Sequence, residues 1–283
     1  MRPNQSRSRN RGLTIIELVV VVAVLAILAG FIVPRLGFVR NLASESGNAT
    51  IIADSASQAV FYNTAVGHYP QGEDTLLTSA GTALDASLNK NLKSALTTVN
   101  LDSYAALSLA AQLTGSSTGG TVTLFNQTDD QGANPNLDDT TQVTFSATGT
   151  ISSTGLPVPA TLAGQTTVAQ VNTATTYGQA IYAAAYGSAA LTAGAPTDNT
   201  YLVALGYGAN SQINGKTGLE APVLFDKNNG EYTRPILLLK VFPSGSTAAS
   251  VPPGTSATTS ISIGFDASTV NTQLGKYQVD QAR

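Results

Sequence analysis

The sequence predicts an α+β protein, in which a long N-terminal helix, membrane-spanning in its first half, packs on a C-terminal globular head with an antiparallel sheet. Residues 13–33 form an apolar run, and helical spacing of apolar residues continues beyond it. Farther along the chain, clusters of β-branched and aromatic residues are separated by Gly, Pro and Asn turns. Helix first and strands later, without regular alternation of the two, is typical of the α+β class.

The apolar run is long enough to cross a bilayer. Its 21 residues would span roughly 32 Å as a helix, at about 1.5 Å per residue. It is too long for the apolar part of an ordinary secretory signal, and it carries an acid. Because four arginines precede the run and only Arg35 and Arg40 closely follow it, the positive-inside rule places residues 1–12 in the cytoplasm and the head outside. The four preceding arginines are Arg2, Arg7, Arg9 and Arg11.

The composition argues against several classes of function. Charged residues make up 11% of the chain and the net charge is −3, so no basic patch suited to nucleic acid is expected. The absence of cysteine rules out disulfides, thiolate zinc sites and cysteine nucleophiles. The chain has one histidine, no Gly-x-Ser-x-Gly and no Gly-x-x-x-x-Gly-Lys, so the sequence predicts no enzyme.

Glu17 is the one charge within the apolar run, and two interpretations of it remain open. In the first, Thr14 and Glu17 form a capping box, in which the Glu side chain reaches back to the backbone of the first helical turn. In the second, Glu17 stays in the apolar phase because a positive charge arrives to neutralise it.

The residues around the start of the run form a distinctive pattern. A basic leader ends in Gly12, and LTIIEL follows, with the acid as the fifth residue after the glycine and apolar residues up to Pro34. This pattern closely resembles the class III signal of type IV pilins and of type II secretion pseudopilins. The resemblance implies cleavage after Gly12 by a prepilin peptidase, methylation of the new amine of Leu13, and assembly into a homo-oligomeric filament. Phe usually follows the cut, and Leu13 departs from that while keeping a large apolar side chain.

The resemblance also implies a role for Glu17. The ammonium group of Leu13 in one subunit would meet the carboxylate of Glu17 in a neighbour, and in a low-dielectric helix bundle neither charge is tolerable alone. We therefore hypothesise that Glu17 sets the register of incoming subunits. The other implied partners are an inner-membrane assembly platform, its ATPase and membrane lipid, and the implied location is the inner membrane and then the filament.

Pro34 ends the apolar run and is expected to loosen or kink the helix locally. Apolar residues at three- and four-residue steps predict that the helix resumes, and Gly67 marks its expected end. The predicted division of the chain is a leader at 1–12, a membrane and filament-core helix at 13–34, an amphipathic continuation at 35–67 and a head at 68–283.

A second stretch, residues 62–76, resembles the helix end and the following loop of pseudopilins. In that family a Gly, a Tyr-Pro pair and an acidic segment lead to a Leu, and this likeness favours a pseudopilin over a true pilin. His68 lies in the same stretch and is interpreted as a turn residue, because a lone histidine without a cysteine partner is a poor metal or catalytic candidate. The matching residues are Gly67, Tyr69, Pro70, Glu73, Asp74 and Leu76.

The patterns of the head predict several helices, strands and loops. Apolar residues at helical spacing predict helices over 84–96, 173–186 and 268–279. A further short helix, which contains Leu107 and Leu113, is expected to be capped by Asp102. The predicted strands are 121–125, 140–145, 201–207, 222–225, 236–242 and 259–265. The predicted loops are 115–120, 147–165 and 244–260.

Two loops contain oxygen ligands of the kind that Ca²⁺ prefers. The first is a weak calcium candidate, since such a composition is more often that of a solvated loop. Residues 226–231 resemble the start of an EF-hand loop, but the glycine comes one position early and no Glu stands at the twelfth position, so a turn between strands is expected. No cofactor other than calcium is predicted. The residues of the first loop are Asp129, Asp130, Asn134, Asn136, Asp138 and Asp139.

Two classes of function are consistent with these observations. The first is a structural subunit of a type II secretion pseudopilus or a type IV pilus-like filament. The alternative is a membrane-anchored extracytoplasmic binding protein that never polymerises. An anchor needs neither Gly12 nor Glu17, so these two residues discriminate between the classes.

Overall fold

A computed structural model of the protein describes residues 15–88, 90–127, 140–150, 158–186, 190–218, 232, 234–246 and 262–263. An N-terminal helix followed by a sheet-rich region confirms the α+β class. The chain divides into two compact units, Met1–Ser46 and Gly47–Arg283.

Helix α1, Ile15–Val66, begins in the first unit and ends in the second. It continues through Pro34, so the predicted resumption of the helix is confirmed, while the predicted loosening at Pro34 stays a prediction. Gly67 ends it as predicted, with a φ of 90° in the left-handed region that glycine adopts without strain. Among the described residues, no helix combines the length and the apolar character needed to cross a membrane.

The last five turns of α1 are amphipathic and belong to the head unit. Ile52, Ala59 and Tyr62 are fully buried, at the three- and four-residue steps that place side chains on one face of a helix. The hydroxyl of Tyr207 donates to the carbonyl oxygen of Ser55 at 2.8 Å, which fastens this face to the sheet. The opposite face, which includes Asp54 and Phe61, is exposed.

The described residues contain three further helices and ten strands. The helices are α2 Lys90–Ala95, α3 Ser103–Thr114 and α4 Thr176–Tyr186. The strands are β1 Leu96–Asn100, β2 Gly119–Gln127, β3 Thr140–Thr150, β4 Val158–Gly164, β5 Thr167–Val171, β6 Leu191–Thr192, β7 Ala195–Pro196, β8 Tyr201–Gly206, β9 Ile236–Val241 and β10 Ser262–Ile263. They form a sheet in the order β1-β5-β8-β9-β10, a sheet in the order β2-β3-β4 and a small β6-β7 pair, with neighbouring strands antiparallel.

The central strands of the five-stranded sheet, β8 and β9, are buried on both faces. Along β8 and β9, alternate residues enter two different apolar clusters, so Val203 and Leu239 join one cluster while Leu202 and Leu238 join the other. The first cluster also contains most of α3, a helix that Asp102 caps by accepting a hydrogen bond from the amide of Ala105 at 2.7 Å. The predicted Asp102 cap and its helix are therefore confirmed.

The structure corrects the type or the bounds of three predicted segments. The helix expected over 84–96 is reduced to α2 and is followed by strand β1, whose Thr and Val residues pair with β5. Residues 147–165, expected to be a loop, contain the end of β3 and all of β4. Residues 115–120 are only partly a loop, because β2 begins at Gly119. The predicted strand at 222–225 and helix at 268–279 lie outside the described residues.

The other strand and helix predictions that fall on described residues are confirmed. Strands β2, β3, β8 and β9 lie at the predicted positions, and α4 occupies most of residues 173–186. Each of these four strands is a run of β-branched, aromatic or leucine residues bounded by turn residues. Both the local propensity of these residues and their burial favour a strand. Of the strand predicted at 259–265 only residues 262–263 are described, and they form β10.

Candidate functional site

The N-terminal part of α1 contains the residues that the sequence singles out. Gly12, Leu13 and Thr14 lie outside the described residues, so cleavage, methylation and the capping box stay predictions. Glu17 lies in the first described turn of α1, and its side chain is exposed.

Large aliphatic side chains are exposed on every side of this part of the helix. Their exposed fractions run from 49% at Val24 to 84% at Ile15. Successive residues of a helix are about 100° apart, so any four in a row cover its whole circumference. An apolar surface that surrounds a helix indicates a segment that is covered by lipid or by other protein.

The apolar residues around Glu17 determine how its charge must be compensated. Once its apolar neighbours, such as Ile16 and Leu18, are covered, water leaves the carboxylate as well. A carboxylate in an apolar medium costs several kcal/mol unless a cation or hydrogen-bond donors compensate it. When the segment is buried, the carboxylate of Glu17 must therefore be compensated by a cation or by hydrogen-bond donors.

The calcium candidates cannot be placed. Asp129, Asp130, Asp138 and Asp139 lie outside the described residues, as do 226–231. In the part of the chain that the structure does describe, no group of three or more His, Cys, Asp or Glu side chains is arranged to hold a metal ion.

His68 lies in the turn that follows α1. Its Nδ1–H donates to the carbonyl oxygen of Tyr69 at 2.7 Å, and its ring meets the edge of Tyr62 with centroids 5.7 Å apart. Both contacts are local to the helix end, as the interpretation of His68 as a turn residue expects.

A buried acidic pair in the head was missed as a site by the sequence reasoning. Glu73 is fully buried and Asp74 is 3% exposed. The hydroxyl of Ser211 donates to Oε1 of Glu73 at 2.5 Å, and the hydroxyl of Tyr232 donates to Oδ2 of Asp74 at 2.7 Å. The available signal was two adjacent acids, in a chain with few charges, directly after the Tyr-Pro pair.

Burial controls the protonation of Glu73. Loss of water raises the pKa of Glu73 well above its usual value, and the negative charge of Asp74 raises the pKa further. The Ser211 hydroxyl, the backbone of Gly208 and the charge of Arg234 act in the opposite direction but do not overcome burial. Glu73 is therefore stabilised in its neutral form.

Similarity to known proteins is confined to the N-terminus. Residues 7–33 match the family model described as the prokaryotic N-terminal methylation motif. No curated protein and no solved structure matches the chain. The match covers less than a tenth of the chain, and it includes Gly12, Leu13 and Glu17. The N-terminal segment carries a signal of the type IV pilin and pseudopilin kind, which fits a pilin-type precursor and a membrane-anchored or surface-filament location.

Proposed function

We propose that the protein is a structural subunit of a filament of the type IV pilus or type II secretion pseudopilus kind. The observation that carries the proposal is the N-terminal part of α1, which exposes aliphatic side chains on every side within a matched methylation motif. A subunit made in this way is cut after Gly12, methylated on Leu13 and assembled through its helix. We expect neither catalysis nor nucleic-acid binding.

Before assembly, residues 13–33 hold the chain in the inner membrane in a single pass, with the arginine-rich leader in the cytoplasm. The partners at this stage are membrane lipid, a prepilin peptidase and an assembly platform with its ATPase. After assembly, like subunits replace lipid around α1, because their aliphatic side chains cover the same surface.

Glu17 supplies selectivity rather than most of the cohesion. Its carboxylate pairs with the amine of Leu13 in a neighbouring subunit, and a subunit in the wrong register would leave both charges buried and unpaired. Breaking a buried ion pair by removing one partner costs about 3–5 kcal/mol, enough to reject an incorrect register.

Pseudopilus is the form of filament that we favour over a true pilus. The support is the Tyr69-Pro70 stretch and its acidic segment, which resemble the corresponding loop of pseudopilins. A membrane-anchored binding protein that never polymerises is the alternative, and it shares the apolar helix but needs no processing.

Mass spectrometry of the intact protein from its native envelope tests the processing step. We expect a chain that begins at methylated Leu13. The variant Gly12→Asp should stay at full length in the membrane and form no filaments. A wild-type chain that still begins at Met1 would establish the uncleaved anchor instead.

The variant Glu17→Gln tests assembly separately from processing. It should be cleaved and methylated normally but lose most of the filament yield, because the amine of Leu13 then has no carboxylate to meet. Asp54→Asn is the matched control, since Asp54 is an exposed acid of the same helix and its loss should leave the yield unchanged. Wild-type yield in Glu17→Gln would disprove the pairing.

A further inference from the structure

The acidic pair Glu73–Asp74 has no part in the assembly proposed above, and it lies in a segment that joins the two sheets. The amide of Thr75 donates to the carbonyl oxygen of Phe125 in β2 at 2.8 Å. On the other side, Asp74 and Gly206 of β8 exchange two backbone hydrogen bonds of 2.8 Å each. The segment is therefore the joint between the three-stranded and five-stranded sheets.

The end of α1 and the loop at 208–218 close over the same joint. Ser211 of this loop donates to Glu73, and Tyr207, directly before the loop, donates to the backbone of α1. The space is tight, since a Cβ added to Gly208 would lie 2.4 Å from Oδ1 of Asp74. A change in the charge of the acidic pair would therefore act on both sheets and on the loop, and through Tyr207 on the helix.

Burial and the repulsion between two adjacent carboxylates indicate that the pair holds a proton. Arg234 is 7% exposed and its positive charge acts on Glu73. An ionised carboxylate is costly to bury, and a proton on one carboxyl group of the pair also removes the repulsion between two adjacent negative charges. Burial also raises the pKa of the neighbouring phenols Tyr207 and Tyr232, which therefore stay neutral.

Burial favours Glu73 as the group that holds this proton, since its side chain is fully buried. Each of the two carboxyl groups accepts one hydroxyl hydrogen bond, Glu73 from Ser211 and Asp74 from Tyr232. Oε2 of Glu73 is buried and has no hydrogen-bond donor among the described residues. An ionised Glu73 would leave this oxygen without water or any described donor, whereas a protonated one carries little charge there.

We propose that Glu73 is a proton-operated lock on the joint between the sheets, closed when the carboxyl group is protonated and loosened when it ionises. Because the pKa of Glu73 is raised in the folded state, its stabilising contribution is fully present below the usual value of 4.5 and is lost as the pH rises through the raised pKa. The head is therefore held most tightly on the acidic side.

Hydrogen exchange of the full chain in detergent micelles, corrected for the intrinsic effect of pH, tests the lock. Between the usual and the raised pKa, local opening releases one proton, so the opening equilibrium should rise by up to about tenfold per pH unit. The amide of Ala106 in α3 is the internal reference and should change less. The reporting amides are those of Gly72, Asp74, Thr75, Phe125 and Gly206.

The variant Glu73→Gln keeps an acceptor for Ser211 but cannot ionise. It should abolish the rise in exchange at the joint, whereas Asp54→Asn, the exposed acid on α1, should retain the wild-type rise. An equal rise in Glu73→Gln would overturn the proposal.

Infrared spectroscopy of the wild-type chain tests the proton even if Glu73→Gln fails to fold. A carbonyl band of a protonated carboxylic acid should persist at pH values at which exposed carboxyl groups are ionised and throughout the range in which exchange at the joint rises. It should vanish only above the raised pKa of Glu73, where that rise levels off. Absence of this band throughout that pH range would also overturn the lock.

Discussion

Lys240 is a single residue that connects three elements of the head. Its Nζ donates to Oδ2 of Asp198 at 2.5 Å and lies 4.5 Å from the ring centroid of Tyr186 in α4. Asp198 also accepts the hydroxyl proton of Thr200 at 2.6 Å. Strand β9, the turn before β8 and α4 are therefore held together by one cation.

Replacing Lys240 tests this connection. Burial by itself would raise the pKa of Asp198, but hydrogen bonds from Lys240 and Thr200 and the charge of Lys240 lower it below the usual value of 3.8. This contribution to stability is therefore present above about pH 3.8 and is lost as the pH falls through the lowered pKa. We expect Lys240→Met to reduce the free energy of unfolding by about 1 kcal/mol at neutral pH and to weaken the loss of stability in acid.

Denaturant unfolding at several pH values measures both effects. Lys216→Met is the matched control, because Lys216 is exposed although its Nζ also lies 5.4 Å from a tyrosine ring centroid, that of Tyr62. Equal effects of the two substitutions would show that the ion pair with Asp198 contributes nothing.

The helix end in the head unit has two faces with different tasks. Tyr62 is fully buried, and its hydroxyl donates to Oε1 of Gln212 at 2.9 Å, whereas the adjacent Phe61 is 62% exposed. On the exposed face Ser57 and Thr64 donate their hydroxyl protons to carbonyl oxygens one turn earlier, which lowers the polarity of the surface.

Substitution of two neighbouring aromatic residues, Tyr62 and Phe61, distinguishes the buried face from the exposed one. Tyr62→Ala should reduce the free energy of unfolding by about 3–5 kcal/mol, because it leaves a cavity under the helix and removes a buried hydrogen bond. Phe61→Ala should change stability by no more than about 0.5 kcal/mol, since little of the side chain is buried. Urea unfolding of the full chain in micelles measures both, and a large loss in Phe61→Ala would show that this face is covered within the monomer.

Strand β4 shows why local pattern was insufficient for some elements. Its residues, VPATLAG, contain Pro159 and Gly164, which are typical of loops. They form a strand because β3 supplies a partner and because β4 is at the edge of its sheet, where a proline is tolerated. A register shift between Thr148 and Gly149 accommodates the proline. Predicting β4 thus requires that β3 and the edge it offers be identified first.

The head has a core of its own. Both apolar clusters draw their buried members from residues 59–242, all within the unit Gly47–Arg283. Two carboxyl groups set opposite limits on its stability, since Glu73 stabilises the fold when protonated and Asp198 when ionised. With respect to these two groups, the head should therefore be most stable at acidic pH, between the usual values of 3.8 for Asp198 and 4.5 for Glu73, where both contributions are fully present.

Truncation tests the independence of the head. A chain that starts at Gly47 should remain folded, with a thermal midpoint within about 3 °C of that of the full chain, and should lose its affinity for membranes. A chain that starts at Phe61 lacks the buried residues Ile52 and Ala59 and should unfold at a clearly lower temperature. Circular dichroism measures both midpoints, and an unfolded Gly47 chain would contradict the prediction.

The sequence by itself determined the pilin-type signal, the helical character of α1, its end at Gly67 and the α+β class. These features are local: Gly12, Leu13 and Glu17 belong to one short motif, and periodicity needs only neighbouring residues. Only the tertiary structure decided that β4 and β5 are strands and that Glu73 is buried beside Asp74 and Arg234. Those features depend on strand pairing and on loss of water between segments that are not neighbours in the chain, and no local pattern records them.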